Sequence, residues 1–316
     1  WIKKAQGYNA SVSFDKFPVQ AFMPSLGIGP LTGSIHVDGR GYDPTAPSTT
    51  IHADAEIASI EYLSKTYHNT RLDATLANGD LTGTLYSHNP EANITTDFSA
   101  HLAKDLYTWN INGDVAHLDL QSLGLSATPM RGSLAIESQG SFIPSSLGIE
   151  ADVTVSHLNW LMDESTLTAP RIDMSILTND SLTHATIKSG DFNALFSSYT
   201  RLDSTLNHIT SLTAVLDTAI ARRNADVKAI QHALPPLDLS ISAGSNNPVA
   251  EYLATTGITF RNANILAHND SLMSLNIKTL GLGNKSIKTD TLTFDALQHG
   301  KYLVYTANLN NRRGTM

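Results

Sequence analysis

The sequence contains no cysteine, and it has few charged and few aromatic residues. Without cysteine there is no disulfide framework, thiolate metal site or cysteine nucleophile. Charged residues make up only 16% of the chain, but the apolar fraction of 41% is too high for a disordered protein. The net charge of −8 argues against the clustered Lys and Arg of a nucleic-acid-binding surface, so no nucleic-acid partner is predicted.

The chain also lacks long hydrophobic runs. None approaches the roughly 20 consecutive apolar residues that a membrane-spanning helix needs, and no signal peptide is visible. The sequence starts at Trp1 and passes directly into strand-like sequence. We therefore expect an interior fragment of a longer polypeptide, whose targeting or anchoring segments lie outside it. A cysteine-free extracytoplasmic chain fits a bacterial envelope better than a eukaryotic secreted protein.

Motifs for catalysis and metal binding are missing as well. The 12 histidines include no His-x-His or His-x-x-x-His pair, and no calcium loop or Gly-x-Ser-x-Gly elbow is present. Two short glycine segments, at Gly27–Gly29 and Gly281–Gly283, lack the lysine of a phosphate-binding loop. We predict that the protein is not an enzyme and has no catalytic residue, no metal site and no cofactor.

Alternation of apolar and polar residues is the dominant positive signal. Ile51, Ala53, Ala55 and Ile57 alternate with polar residues, and the same period of two recurs along most of the chain. Such alternation is typical of strands with one apolar face and one face in water. Turn sequences, such as Asn78-Gly79, fall between these runs at intervals of about 8–12 residues, which predicts an antiparallel meander.

The strand pattern repeats at a larger scale. An apolar-x-Gly-x-apolar phrase occurs at Leu31–Ile35, Leu81–Leu85 and Met130–Leu134, and longer similar stretches return after about 99 residues. A period of this kind indicates a duplicated β module. We predict duplicated β modules over residues 1–201, a helical segment over 202–236 and further strands over 237–316, with about 20 strands in total.

The helical segment departs from the period of two. Apolar residues from Leu202 to Leu234 are mostly three or four positions apart, which favours a helix capped by Ser204 or Asp203 and ended by Pro235-Pro236. The apolar stripe weakens at residues 222–224, where the helix is expected to bend or break. After the prolines we expect a strand from Leu237 to Ile241, a turn-rich stretch over Gly244–Leu253, and strands at Ile258–Phe260, Met273–Ile277, Thr291–Phe294 and Tyr302–Tyr305.

These phrases, and the layout Pro-x-Leu…Gly-x-x-Asn-Pro…Gly-Ile between Ala233 and Ile265, resemble the AsmA-like superfamily of bacterial envelope proteins. Within it, the chain is similar to the TamB family of translocation and assembly modules in its Bacteroidetes form. The resemblance implies an elongated, strongly bent antiparallel β-sheet that forms an apolar groove. It also implies the periplasm of a Gram-negative bacterium, with the full-length protein anchored in the inner membrane.

The function implied by the resemblance is transfer of phospholipids between the two membranes, linked to outer-membrane protein assembly with an Omp85-family barrel as partner through regions outside this chain. Membrane contact would likewise come from segments outside it. The candidate lining of the groove is the apolar phase of the strands: Ile35, Val37, Ile51, Ile57, Leu72, Leu76, Leu85, Ile94, Phe98, Ile111, Val153, Val155, Ile172, Met174 and Ile176.

Three alternatives stay open on the sequence. The same alternation would suit an ordinary dry core between two packed sheets. The chain could act as an assembly scaffold that pairs its sheet edge with a β-rich client, without conducting lipid. It could also be a β-solenoid or sandwich adhesin.

Overall fold

The computed structural model describes residues 7–22, 27–62, 65–162, 165–222, 226–284, 288–300 and 302–311. The fold is mainly β, with 65% strand and 13% helix, which confirms the predicted class of antiparallel β structure with one long helix. The described residues form 17 strands rather than about 20. Within them, no helix is long and apolar enough to cross a membrane.

The chain divides into two compact units, of which unit 1 comprises Trp1–Pro144 and Val153–Pro170. Two long strands, β9 (Gly148–Met162) and β10 (Ser165–Thr178), contribute residues to both units. The other elements of unit 1 are β1 (Gly7–Pro18), α1 (Val19–Phe22), β2 (Ile28–Arg40), β3 (Thr50–Tyr62), β4 (Lys65–Ala77), β5 (Asp80–His88), β6 (Ala92–Leu102), β7 (Tyr107–Asp119) and β8 (Met130–Ile143).

Strands β1 to β8 pair antiparallel, each with the next one along the chain. The predicted Asn78-Gly79 turn joins β4 to β5, with Ala77 paired to Asp80. Both turn residues have positive φ, 56° and 85°, as a two-residue type I′ hairpin turn requires. Here local turn chemistry fixes the register of the hairpin.

The repeated phrase places a glycine where two strands come too close for a side chain. Gly33 in β2 and Gly132 in β8 are about 99 residues apart, and a Cβ at either would collide with a carbonyl oxygen of the neighbouring strand, that of Glu56 or Asn159. Next to Gly33 the β2–β3 register shifts, as at a β-bulge. The glycines of the repeat are therefore explained by close backbone approach.

Unit 2 comprises Ser145–Asp152 and Arg171–Met316. From β10 to β17 its strands also pair antiparallel in chain order. Its other elements are β11 (Thr183–Ser189), β12 (Phe192–Ser198), α2 (Leu202–Arg222), α3 (Val227–Ala233), β13 (Leu237–Gly244), α4 (Pro248–Thr255), β14 (Asn262–Asn269), β15 (Met273–Leu280), β16 (Thr291–His299) and β17 (Tyr302–Asn310).

The predicted helical segment is two helices. Helix α2 ends at Arg222, residues 223–225 lie outside the described residues, and α3 begins after Asp226, whose side chain accepts a hydrogen bond from the backbone N of Ala229. The prolines end the segment as predicted, since α3 stops at Ala233. The predicted capping residues are wrong: the helix starts at Leu202, so Asp203 and Ser204 already lie in its first turn.

Two predictions between residues 244 and 260 are also wrong. The stretch expected to be turn-rich contains helix α4, with Asn247 as N-cap and Pro248 in the first turn. The expected strand at Ile258–Phe260 is only an isolated bridge from Thr259 to Gly283. Phe260 instead packs with Ala243 and Ala250 in a small buried cluster, so α4 covers one end of unit 2.

We expect the variant Asn247→Ala to lower the free energy of unfolding by about 1 kcal/mol, because Asn247 accepts the capping hydrogen bond from Ala250 N. Its Nδ2 also donates to Asp191 Oδ1 at 2.6 Å, and this bond is the main reason that the pKa of Asp191 lies below its usual value. A carboxyl group whose pKa is lowered by folding stabilises the folded state at pH values above its unfolded pKa of about 3.9. That contribution is lost as the pH falls through the folded-state pKa.

The difference in stability between wild type and Asn247→Ala should therefore shrink below about pH 4, without vanishing, since the cap itself does not titrate. Urea unfolding of both proteins at pH 7 and pH 3 measures this difference in the free energy of unfolding. The matched control is Asn246→Ala, because Asn246 contacts Asp191 through its backbone N. A difference that grows towards acid pH would contradict the assigned role of Asp191.

Candidate functional site

The strand registers of unit 1 assemble one continuous apolar face. Directly paired residues share a face of the sheet, and one such row runs through Ile35, Ala55, Leu72 and Leu85. Parallel rows lie on either side of it. We call the set the unit 1 apolar face: Val12, Ile35, Val37, Ile51, Ala53, Ala55, Ile57, Leu72, Ala74, Leu76, Leu81, Leu85, Ile94, Phe98, Ala100, Trp109, Ile111, Val115 and Leu134.

Ten of the predicted lining residues, from Ile35 to Ile111, lie on this face. Val153 and Val155 lie in the part of β9 that belongs to unit 1. Ile172, Met174 and Ile176 lie on β10 in unit 2, where Met174 pairs with Ile187 and Ile176 with Ala185. The predicted residues therefore fall into two groups, one in each unit.

Unit 2 carries a second apolar face. The lining residues predicted from the sequence cover only its β10 part. Its central row is Met174, Ile187, Ala194, Ile241, Ile265, Ile277 and Phe294, each paired with the next. A second row runs from Ile176 through Ala185, Phe196, Leu239, Ala267, Leu275 and Ala296 to Tyr305. These two rows are the unit 2 apolar face. The alternation of Leu237, Leu239 and Ile241 was the signal that could have extended the prediction.

Neither face is sealed as a dry core. Ile35, Phe98, Ile241 and Ile265 are all half-buried, and the largest fully buried side chains among the described residues are Thr49, Thr205, Pro235 and Ser198. A core between two packed sheets would instead bury its large aliphatic side chains completely. The alternative of a dry sandwich core is therefore not what these residues form.

The exposed area supports this point. The chain exposes 19783 Å² to solvent. Two separate globular domains of half its mass would together expose only about 15,000 Å² by the usual scaling of surface with mass. Division into two units therefore does not account for the excess. An excess of exposed area agrees with apolar faces whose side chains are only half-buried.

A chain of buried hydroxyls closes one end of the unit 2 apolar face. The Oγ1 atoms of Thr178 and Thr183 lie 3.2 Å apart, and the hydroxyl of Thr183 donates to the carbonyl oxygen of Thr200. Thr200 Oγ1 lies 2.9 Å from Ser198 Oγ and 2.8 Å from Thr205 Oγ1 in the first turn of α2. This network ties the start of α2 to the strand ends.

The opposite, polar face of each unit carries short polar pairs. In unit 1, His52 Nε2 lies 3.0 Å from Asp54 Oδ2, and Asp73 is paired directly with Asp54 across β3 and β4. These three side chains place their ligand atoms within 4.8 Å of one another, so among the described residues they form a group that could hold a metal ion. In unit 2, His268 Nδ1 lies 2.7 Å from Asp238 Oδ1. Both histidines are exposed.

No family model, curated protein or solved structure matches this chain. The resemblance to the TamB family of AsmA-like proteins therefore stays a prediction. The chemical character of the site rests on its own residues, which form two half-covered apolar faces. The opposite faces are mostly polar and partly charged, although that of unit 2 also exposes Leu195, Leu266, Leu297 and Val304.

Proposed function

We propose that this protein binds the acyl chains of phospholipids along its two apolar faces, as one segment of a lipid-transfer bridge across the periplasm of a Gram-negative bacterium. The observation that carries the proposal is the set of neighbouring apolar rows that the strand registers build, most of whose side chains are only half-buried. A face of this kind suits an extended apolar ligand better than a compact one.

The energetics favour such a ligand. Each CH₂ group of an acyl chain costs about 0.8 kcal/mol to expose to water, so a lipid needs shielding along its whole path. In the central row of unit 2, isoleucines occupy four of the five paired positions on β11 to β15, and only Ala194 on β12 interrupts the run from Ile187 to Ile277. Neighbouring positions of similar chemistry keep the free energy of a bound chain nearly constant as it moves.

The cellular location and the protein partners in this proposal are taken from the resemblance to the TamB family. Anchoring in the inner membrane, a linked role in outer-membrane protein assembly and an Omp85-family barrel as partner would all involve segments outside this chain. The described residues would contribute shielding and no chemical step.

A second candidate is favoured by one edge of unit 2. Strand β17 exposes Tyr302, Val304, Tyr305 and Leu309. An exposed apolar edge strand is a template for pairing with another strand. An assembly scaffold that captures a β-rich client at β17 would need this edge, whereas lipid binding would need the apolar faces.

Native mass spectrometry of protein purified without detergent tests the proposal. We expect phospholipid to remain bound and to be identified after organic extraction. A chain that carries no lipid, and acquires none on incubation with phospholipid vesicles, would overturn the proposal. To separate the second candidate, Val304→Lys should leave bound lipid unchanged while blocking strand capture at β17.

A further inference from the structure

Helix α2 carries two apolar sectors, of which only one is packed. At about 100° per residue, Thr205, His208, Leu212, Val215 and Ala219 share one side of the helix, and all five are buried or half-buried. His208 Nδ1 lies 3.3 Å from the carbonyl oxygen of Ala233 at the end of α3. This side therefore holds the helix against the rest of unit 2.

The second apolar sector, next to the packed one, is open to solvent. Leu206 is 53% exposed and Ile209 is 45% exposed. Thr213 lies on the same side, one turn further on, and its Oγ1 donates to the carbonyl oxygen of Ile209 at 3.2 Å. We call Leu206, Ile209 and Thr213 the open sector of α2.

The other exposed side chains described on α2 are polar or alanine, and few of them are charged. Its 21 residues include only Asp203, Asp217 and Arg222 as charged residues. Several hydroxyls already donate to the carbonyl four residues earlier: Thr210 to Leu206, Ser211 to Asn207 and Thr218 to Ala214. Hydroxyls satisfied within the helix lose little when water is removed from around them.

We propose that the open sector of α2 binds the surface of a lipid bilayer, by inserting Leu206 and Ile209 between loosely packed head groups. The proposal rests on the proposed lipid-binding function. An amphipathic helix binds a bilayer through its apolar side, and basic residues add attraction to anionic lipid. Since α2 has no lysine and one terminal arginine, its chemistry fits a zwitterionic surface with exposed apolar defects.

The position of α2 favours a bilayer over a protein partner. The hydroxyl network through Thr205, Thr200 and Ser198 joins the first turn of α2 to the end of the unit 2 apolar face. Leu206 follows Thr205 directly in the sequence. A lipid drawn from a bilayer that contacts the open sector would therefore meet the apolar face at its nearest end.

Flotation of the protein with phosphatidylcholine vesicles tests the inference. We expect binding to small, highly curved vesicles, where packing defects are frequent, to exceed binding to large vesicles. The double variant Leu206→Ser/Ile209→Ser should lower the partition coefficient roughly tenfold or more. The matched control is Leu266→Ser, because Leu266 is also 53% exposed but lies on the polar face of the sheet.

A second measurement uses the absence of cysteine. A single cysteine at Leu206→Cys, labelled with an environment-sensitive fluorophore, should show a blue shift on vesicle addition. The same label at Ser211→Cys should not, because Ser211 is exposed and lies on a different side of the helix. The proposal is overturned if the double variant binds vesicles like wild type, if binding requires anionic lipid, or if the open sector instead mediates a dimer detected by light scattering.

Failure of this inference is distinguishable from failure of the proposed function. The double variant should retain bound phospholipid in native mass spectrometry, because the apolar faces are unchanged. A protein that holds lipid but ignores vesicles would refute the role of α2 alone. A protein that binds vesicles through α2 but never holds lipid would refute the lipid-shielding faces alone.

Discussion

Replacing Ile265 with Asp should abolish phospholipid binding to unit 2, whereas the same substitution at the next residue, Leu266→Asp, should leave it unchanged. Ile265 stands in the central row of the apolar face, between Ile241 and Ile277. Leu266 points to the other face, where its paired neighbours are Ser240 and Asn276. A carboxylate beside an acyl chain would lose its hydration without a partner, which costs several kcal/mol.

The two variants differ only in the face of the sheet that they change, because both replace a branched aliphatic side chain by Asp on the same strand. Native mass spectrometry counts the bound phospholipids, and circular dichroism establishes that both variants fold. If Ile265→Asp were to unfold, Ile265→Asn supplies a neutral polar substitution at the same position. Equal lipid occupancy in a folded Ile265 variant and in Leu266→Asp would show that the apolar face is not the binding surface.

The second large effect is expected at Gly83, in the middle copy of the repeated phrase. Gly83 pairs with Ala74 and Phe98, and a Cβ there would collide with the carbonyl oxygen of Asp73 and with the ring of Phe98. The carbonyl oxygen of Asp73 belongs to the backbone, so it can move little to make room for a side chain. We expect Gly83→Val to lower the free energy of unfolding by about 1–3 kcal/mol.

Thermal unfolding followed by circular dichroism measures this loss, and Gly7→Val is the control. At Gly7 a Cβ would meet only the carbonyl oxygen of Gly39, at an ordinary contact distance of 3.5 Å. Unfolding temperatures that agree between the two variants would mean that the ring of Phe98 and strand β4 accommodate the side chain. Close backbone approach would then not explain the glycine at this position.

The faces of the strands were predictable because they depend only on local alternation. Any strand places residues i and i+2 on the same side, so Ile35 and Val37, or Leu72 and Leu76, could be assigned without knowing their partners. The turn at Asn78-Gly79 was predictable for the same reason, since two positive φ angles demand such residues.

What could not be predicted depends on contacts distant in sequence. An alternation with a period of two does not reveal how far an apolar face is covered, so the half-buried state of Phe98 and Ile265 could be known only in three dimensions. Helix α4 was missed although Asn247-Pro248 is a capping signal, because the neighbouring glycine and asparagines are equally typical of turns. Its stability comes from Phe260 and Ala243, which no local pattern connects.

The consecutive pairing of strands has a consequence for how the protein forms. In every register from β1 to β8, and again from β10 to β17, a strand meets the strand that precedes or follows it in the chain. Apart from the pairing of β12 with β13, which are separated by α2 and α3, most of these contacts close short loops. Short loops keep the entropic cost of each step small and favour rapid acquisition of structure. Each hairpin can therefore dock on the one before it as soon as it is synthesised, so translation itself would deliver the strands in the order in which they assemble.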